Sequence, residues 1–353
     1  SSAASDVYKR QDEPFKYDSG QPLYNYDHQY HGTVTMRTAI TKSYNIPAAK
    51  AMVEITPELG VSYLKKFGFT SILDTLTELP QGSNNFYTDV NVATSIGGIT
   101  KGVSNLELTA AYATIANNGT YIKPVFYTKI LDSDGNVVID NTPEKTTVIK
   151  PSTAYLLTSA MEDVVKKGTG TRLQLSNMPV AGKTGTTDNY KDLWFSGYTP
   201  YYTCSVWAGY DNNIVLPKGQ ARTYQQTLWQ KIMQRIHNDL PKTEFKVPST
   251  VEKKSICKDS GLLASSSCDA VTEYYDTETL PKKYCSGHKK VKPDDNDKPN
   301  ANKPGGTSEE PPQTQPETPE TPQGQPETPE TPQGQPETPQ EQPESPTPPA
   351  PPA

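Results

Sequence analysis

Between residues 33 and 67 apolar positions recur at helical spacing, interrupted once at Ser43-Tyr44-Asn45-Ile46-Pro47. A proline fixes its own φ and disfavours helix at the residue before it, so the Ser-x-Asn stretch is expected on a turn between two helices, the second starting near Pro47. An amphipathic helix follows over 58–67. Residues 106–117 (LELTAAYATIAN) read as another, capped by Ser104 and ended at Asn118-Gly119. Residues 121–138 predict a hairpin around Asp132-Ser133-Asp134-Gly135. A long amphipathic helix over 153–167 is stopped by Gly168-Thr169-Gly170. Three strand-like runs come next, at 180–186, 193–198 and 202–210, the last apolar enough for a buried central strand. A helix over 228–240 closes the body, carrying Trp229, Ile232, Met233 and Ile236, with His237 on its polar side. Helices first, then strand–strand–strand–helix, predict an α/β domain with an antiparallel sheet flanked by helices.

The pattern stops near residue 292. Residues 293–353 hold 19 of the 33 prolines and no aromatic or large aliphatic residue, and QPETPETPQG occurs twice in tandem. Such a segment has too little apolar surface to offset the entropy of ordering it, and it reads as an acidic, polyproline-biased, disordered spacer. It carries 2 lysines against 12 acidic residues, so the whole-chain charge of −6 hides a body of about +4. No basic stripe or zinc finger accompanies that mild charge, which argues against a nucleic-acid partner. No apolar run reaches 18 residues, so no membrane-spanning helix is expected within the sequence. Residues 1–11 (SSAASDVYKRQ) read as a non-native translated adapter and are set apart from the fold.

The chemistry concentrates in two motifs. Lys183-Thr184-Gly185, followed by Thr186, occupies a predicted strand. A strand edge there presents a cation and hydroxyls beside a nucleophile, and the glycine lets a substrate backbone approach closely. Ser43-Tyr44-Asn45 lies on the interhelical turn, 138 residues before Lys183 counted from Asn45. It offers a relay hydroxyl and an amide able to grip a peptide bond.

With Tyr30-His31-Gly32, Gly102-Val103-Ser104-Asn105-Leu106-Glu107, the stretch 111–124 (AYATIANNGTYIKP), Gly168-Thr169-Gly170-Thr171 and the stretch 192–200 (DLWFSGYTP), these motifs resemble the transpeptidase domain of class A penicillin-binding proteins of the Gram-positive type. The resemblance covers residues 12–248. It implies a penicillin-binding, serine-transpeptidase fold, truncated on its N-terminal side, and a D,D-transpeptidase that crosslinks peptidoglycan stem peptides through an acyl-enzyme and binds β-lactams. By the same resemblance Ser43 relays protons between a general-base lysine and Lys183, and Asn45 holds the substrate amide. Lys183, Thr184 and Thr186 bind its carboxylate, and the Thr186 N–H forms half of an oxyanion hole. No cofactor or catalytic metal is implied. The parent protein is expected to add a glycosyltransferase domain and an N-terminal membrane anchor, to act outside the cell membrane, and to meet stem peptides and lipid-linked precursor.

The family's nucleophilic Ser-x-x-Lys precedes its Ser-x-Asn, and here both matches follow it: Ser62 with Lys65, and Ser255 with Lys258. The nucleophile is therefore expected outside this sequence, and the chain alone to be inactive. Two other readings remain open, a D,D-carboxypeptidase or β-lactamase-like hydrolase and a non-catalytic penicillin-sensing or wall-binding module. Residues 249–292 form a Cys-containing module. A disulfide, Cys257–Cys268 or Cys268–Cys285, is the favoured state of its cysteines, with a Cys₃His zinc site completed by His288 as the alternative. Cys204 is expected in the core.

Overall fold

The computed structural model describes residues 9–287, which fall within one unit, residues 1–292. The spacer expected at 293–353, and His288, lie outside the described residues. The helices are α1 (Met36–Lys42), α2 (Asn45–Ile55), α3 (Pro57–Lys66), α4 (Asn105–Ala116), α5 (Pro151–Lys167) and α6 (Tyr224–His237). Strands β1 (Ala181–Thr186), β2 (Asp192–Tyr198) and β3 (Thr203–Gly209) form an antiparallel sheet in that order, with Lys183 opposite Ser196 and Ser196 opposite Ser205. The central strand is therefore β2 and not the 202–210 run. Leu193, Phe195, Ser196 and Tyr198 of β2 are buried, whereas β3 buries only Val206. An apolar run marks burial, and only pairing on both edges makes a strand central.

Alternation sorts the strand residues onto two cores. On one face Val180, Phe195 and Val206 pack with Trp229 and Met233 of α6, Phe195 meeting Trp229 edge to face at 4.9 Å. On the other, Ala181 and Tyr198 pack with Met161 of α5, flanked by Tyr112 and Ile115 of α4. The buried Tyr198 hydroxyl is 2.6 Å from Thr158 Oγ1, which itself donates to the Ala154 carbonyl. Cys204 is only half-buried at the edge of the first core, and its carbonyl accepts from Trp229 Nε1 at 2.9 Å.

Several local departures from expectation have physical causes. Helix α2 starts at Asn45, so Pro47 falls in its first turn, where a missing N–H breaks no helical hydrogen bond, and Ile46 is helical and fully buried. Helix α4 carries the expected cap, with Ser104 and Glu107 in a reciprocal capping box. The turn at Asp132 forms, its carboxylate accepting from the Asp134 and Asn136 N–H groups. The strands around it are Lys129–Leu131 and Val137–Asp140, while Thr120–Ile122 pairs with Lys145–Thr147 instead. His237 is fully buried, not on a polar face. Its Nδ1 is 2.7 Å from the Met233 carbonyl, which only accepts, so Nδ1 donates there, and Nε2 is 2.7 Å from Thr199 Oγ1.

Strand Lys9–Asp12 pairs with Gly32–Thr35, so regular structure begins inside the segment set apart on sequence grounds. At the other end, β4 (Val251–Cys257) and β5 (Ala270–Asp276) form an antiparallel pair that docks on α5. Ser152 Oγ bonds Asp276, and Tyr155 meets Tyr274 edge to face at 5.2 Å. Arg37 of α1 ties the three parts together. Its Nε donates to both Glu273 oxygens at 2.8 and 2.9 Å, and Nη1 donates to the Ser159 carbonyl at 2.8 Å. Arg37→Met leaves the buried Glu273 carboxylate without its fork partner, and is expected to cost about 3 kcal/mol. Urea unfolding of the chain measures the loss, and faster hydrogen exchange over 251–276 locates it.

Candidate active site

Two residues along β1 from Ala181, Lys183 leaves the sheet on the same face, toward α1 and α5. Helix α1 lies against the end of α5 so closely that a Cβ on Gly168 would sit 2.3 Å from the Thr41 carbonyl. That approach sets the height of Ser43, which ends α1 in the left-handed conformation (φ 61°, ψ 43°) with its N–H shared between the Ala39 and Ile40 carbonyls. A serine there costs about 1–2 kcal/mol relative to ordinary backbone. Its hydroxyl receives the Lys183 ammonium, Nζ to Oγ 2.6 Å, and Nζ also donates to the Thr184 carbonyl at 2.9 Å. Loss of solvent around the ammonium pushes Lys183 down to about 8.

The neighbouring hydroxyls extend this pair. Thr184 Oγ1 is 2.7 Å from Thr169 Oγ1, which lies in the Gly-Thr-Gly turn after α5. Gly185 faces Trp194 across the β1–β2 register, and Thr186 stands exposed at the end of β1. Asn45 lies two residues beyond Ser43, and its side-chain Nδ2 donates to the Tyr24 carbonyl at 2.9 Å. Ser43, Lys183 and Thr184 are thus brought together, while the Asn45 amide is held to one side by the 24–25 segment.

A support beneath the turn was not foreseen from the sequence. Buried Asn25 accepts the Asn45 N–H on Oδ1 at 2.9 Å, and its Nδ2 donates to both oxygens of buried Asp12 at 2.8 and 2.9 Å. Asp12 also accepts the His31 N–H at 3.0 Å and faces His31 Nδ1 at 2.6 Å. The His31 ring stacks on Tyr44 at 4.0 Å between centroids, so the network grips the middle residue of the Ser-x-Asn turn. The sequence held one signal, Tyr30-His31-Gly32, which reads as a surface turn. Thr169 was marked only within Gly168-Thr169-Gly170-Thr171, as a helix stop and part of the resemblance, and not as a partner of Thr184.

The two Ser-x-x-Lys matches are engaged elsewhere. Ser62 Oγ donates to its own helix at the Leu59 carbonyl (2.8 Å), and Lys65 is paired with Asp74. Ser255 lies within β4 opposite Thr272, and Lys258 Nζ contacts Asp269 at 2.9 Å.

A half-buried lysine whose charge is disfavoured by loss of solvent, joined to a serine on a left-handed helix end and carried on a Lys-Thr-Gly strand, suits acyl transfer. The penicillin binding protein transpeptidase domain matches residues 4–237, and the penicillin-binding protein 1A C-terminal domain matches residues 247–290. The chain therefore belongs to the penicillin-binding protein transpeptidase family. It is 33% identical over 292 residues to penicillin-binding protein 1A of Clostridium perfringens, covering 80% of this chain and 34% of that one. It is 42% identical over 193 residues to penicillin-binding protein 1F of Bacillus subtilis, covering 53% and 25%. Among solved structures, penicillin-binding protein 1A from Haemophilus influenzae superposes with a TM-score of 0.65 at 22% identity, over 80% of this chain and 47% of that one. The PonA1 protein from Mycobacterium tuberculosis, solved with penicillin V, gives 0.58 at 23% identity over 68% and 66%. At those identities the structures speak for the fold, a penicillin-binding transpeptidase fold of mixed helix and strand. The chain spans about a third of the length of the Clostridium relative. No helix among the described residues is long and apolar enough to cross a membrane.

Proposed function

We propose that this chain is the substrate-carboxylate and proton-relay side of a D,D-transpeptidase active site, completed by a Ser-x-x-Lys segment that another part of the protein supplies. The contact between Lys183 Nζ and Ser43 Oγ carries the reading. An ammonium only donates, so Ser43 keeps its own hydroxyl hydrogen for a second partner, as a relay between two basic groups requires. In the acylation step the nucleophilic serine attacks the penultimate D-Ala carbonyl while its proton is withdrawn through the lysine and Ser43, and the terminal D-Ala leaves with that proton. Lys183, Thr184 and Thr186 attract the terminal carboxylate, the Thr186 N–H stabilises the oxyanion, Gly185 leaves room for the substrate backbone, and Asn45 turns its amide to the substrate. A second chain's amine then takes the acyl group and forms the crosslink. β-Lactams acylate the same serine.

The domain division follows as part of the proposal: residues 12–248 as the incomplete transpeptidase domain, 249–292 as the Cys-containing module and 293–353 as the disordered tail. The whole protein adds glycosyltransferase activity on lipid-linked precursor, and is anchored at the extracytoplasmic face of the membrane.

The test uses the complete protein expressed from its source DNA. Labelled with a fluorescent penicillin and mapped by peptide mass, the adduct is expected on a serine encoded ahead of Ser43, and Ser43→Ala is expected to slow labelling about a hundredfold or more. An adduct on Ser62 or Ser255, or the absence of any Ser-x-x-Lys ahead of Ser43, overturns the reading.

A further inference from the structure

One cluster of metal-ligating side chains stands outside the candidate active site. Cys257 ends β4, Cys268 lies two residues ahead of β5, and Cys285 lies beyond it, yet their sulfurs all come within 4.8 Å of one another. The structure draws no disulfide among them and brings all three sulfurs together, where the expectation was of one pair. A disulfide uses two sulfurs and leaves the third without a covalent role. A tetrahedral zinc ion uses all three, at S–S separations of about 3.8 Å for Zn–S bonds of about 2.3 Å.

The backbone around the cluster suits thiolates. The Ser260 N–H points at Cys257 Sγ at 3.5 Å, and the Ser265 N–H at Cys268 Sγ at 3.4 Å, donors that favour charged sulfur and fix its direction. The three segments are laced by backbone bonds: Cys257 N–H to the Leu262 carbonyl (2.8 Å), Lys258 N–H to Asp269 (2.8 Å) and Cys285 N–H to Leu263 (2.8 Å). Cys257 and Cys285 are buried and Cys268 is half-buried, so the cluster is shielded without being sealed.

The module also needs a staple. Its buried apolar side chains are few, Val251, Ile256 and Pro281 with the two buried cysteines among those described, and a segment of this size cannot rely on its core alone. We infer that Cys257, Cys268 and Cys285 bind a structural zinc ion as three thiolates and that this ion fixes the loops at the far end of the β4–β5 pair. Three thiol protons leave on binding, so acid favours release. The inference does not depend on the transpeptidase reading, because none of these residues touches Ser43 or Lys183 in the contacts described above.

The test is the full chain purified without reductant or chelator. About one zinc per chain is expected by elemental analysis, released by a thiol-blocking mercurial and detected with a chromophoric chelator. Replacing zinc with cobalt(II) is expected to give the sulfur-to-cobalt charge-transfer band and the visible bands of a tetrahedral site. Cys268→Ser is expected to weaken retention at least about tenfold. Stripping the metal is expected to raise hydrogen exchange over 251–276 and leave 151–210 protected. Substoichiometric metal with three alkylatable thiols, or a disulfide between any two of them, overturns the inference.

Discussion

Lys183→Met is expected to make the chain more stable at pH 7 while removing most of the acylation rate of the complete protein. Methionine keeps the unbranched stem that fills the space between β1 and α1 and discards the ammonium. Against an ordinary lysine at 10.5, a value of about 8 corresponds to roughly 3 kcal/mol of disfavoured charge, at about 1.4 kcal/mol per pH unit. The lost contacts to Ser43 and the Thr184 carbonyl offset part of this, so a net gain of about 1–2 kcal/mol is expected. The direction with pH follows from linkage. Between about 8 and 10.5 the unfolded chain holds a proton that the folded chain has released, so the natural chain becomes more stable as pH rises through that window. Below about 8 its penalty is present in full, and above 10.5 it is gone. The advantage of the methionine variant should therefore be largest at pH 7 and give way to a disadvantage of about 1–2 kcal/mol by about pH 10.5, where only the lost hydrogen bonds remain, measured by urea unfolding across that range. A variant that is less stable at pH 7 would show that the hydrogen bonds outweigh the buried charge. In the complete protein the same substitution is expected to slow penicillin acylation by about a hundredfold to ten-thousandfold, the range of a positioned proton-transfer group. Stability gained where activity is lost is the pattern expected of a charge buried for chemistry.

How much of this was legible in the sequence depends on the distance over which each residue acts. The helices and β1–β3 followed from periodicity and from local punctuation such as Ser104 and Gly168-Thr169-Gly170, because those signals act within a turn or two. The Ser43 and Lys183 motifs were found through their residue types and order, and their contact across 140 positions is what the fold adds. What escaped was set by partners far apart in sequence. Pairing of Thr120–Ile122 with Lys145–Thr147 cannot be read from alternation alone, since either neighbouring run offers the same pattern. His237 looked polar by helical position, but Thr199 and the Met233 carbonyl satisfy both its nitrogens inside the core. Asp12 and Asn25 carry no motif, and Tyr30-His31-Gly32 does not name the partners of His31, since a buried polar network is defined by its partners.

That network gives the second large effect. Asn25→Asp changes one atom's chemistry without changing shape, and is expected to destabilise the chain by about 3–5 kcal/mol at pH 7. In the natural chain Asn25 Nδ2 has three acceptors around it: the two Asp12 oxygens and the Gln29 carbonyl at 2.8 Å. A carboxylate oxygen in its place donates nothing, and it sets two negative groups against each other in a site where both residues are buried. The introduced carboxyl avoids this only by holding a proton, so its folded pKa must lie above the ordinary aspartate value near 3.9. The folded variant then binds more protons than its unfolded chain, and its stability falls as pH rises from about 4 to that raised value. The gap to the natural chain should accordingly be smallest near pH 4 and widest above neutrality, by urea unfolding at each pH. The Oδ1 acceptor for the Asn45 N–H survives the substitution, so any loss of acylation in the complete protein should track the loosened Asp12–His31–Tyr44 support and recover as the pH is lowered. An equal gap at every pH would mean that Asp12 is not the group Asn25 holds.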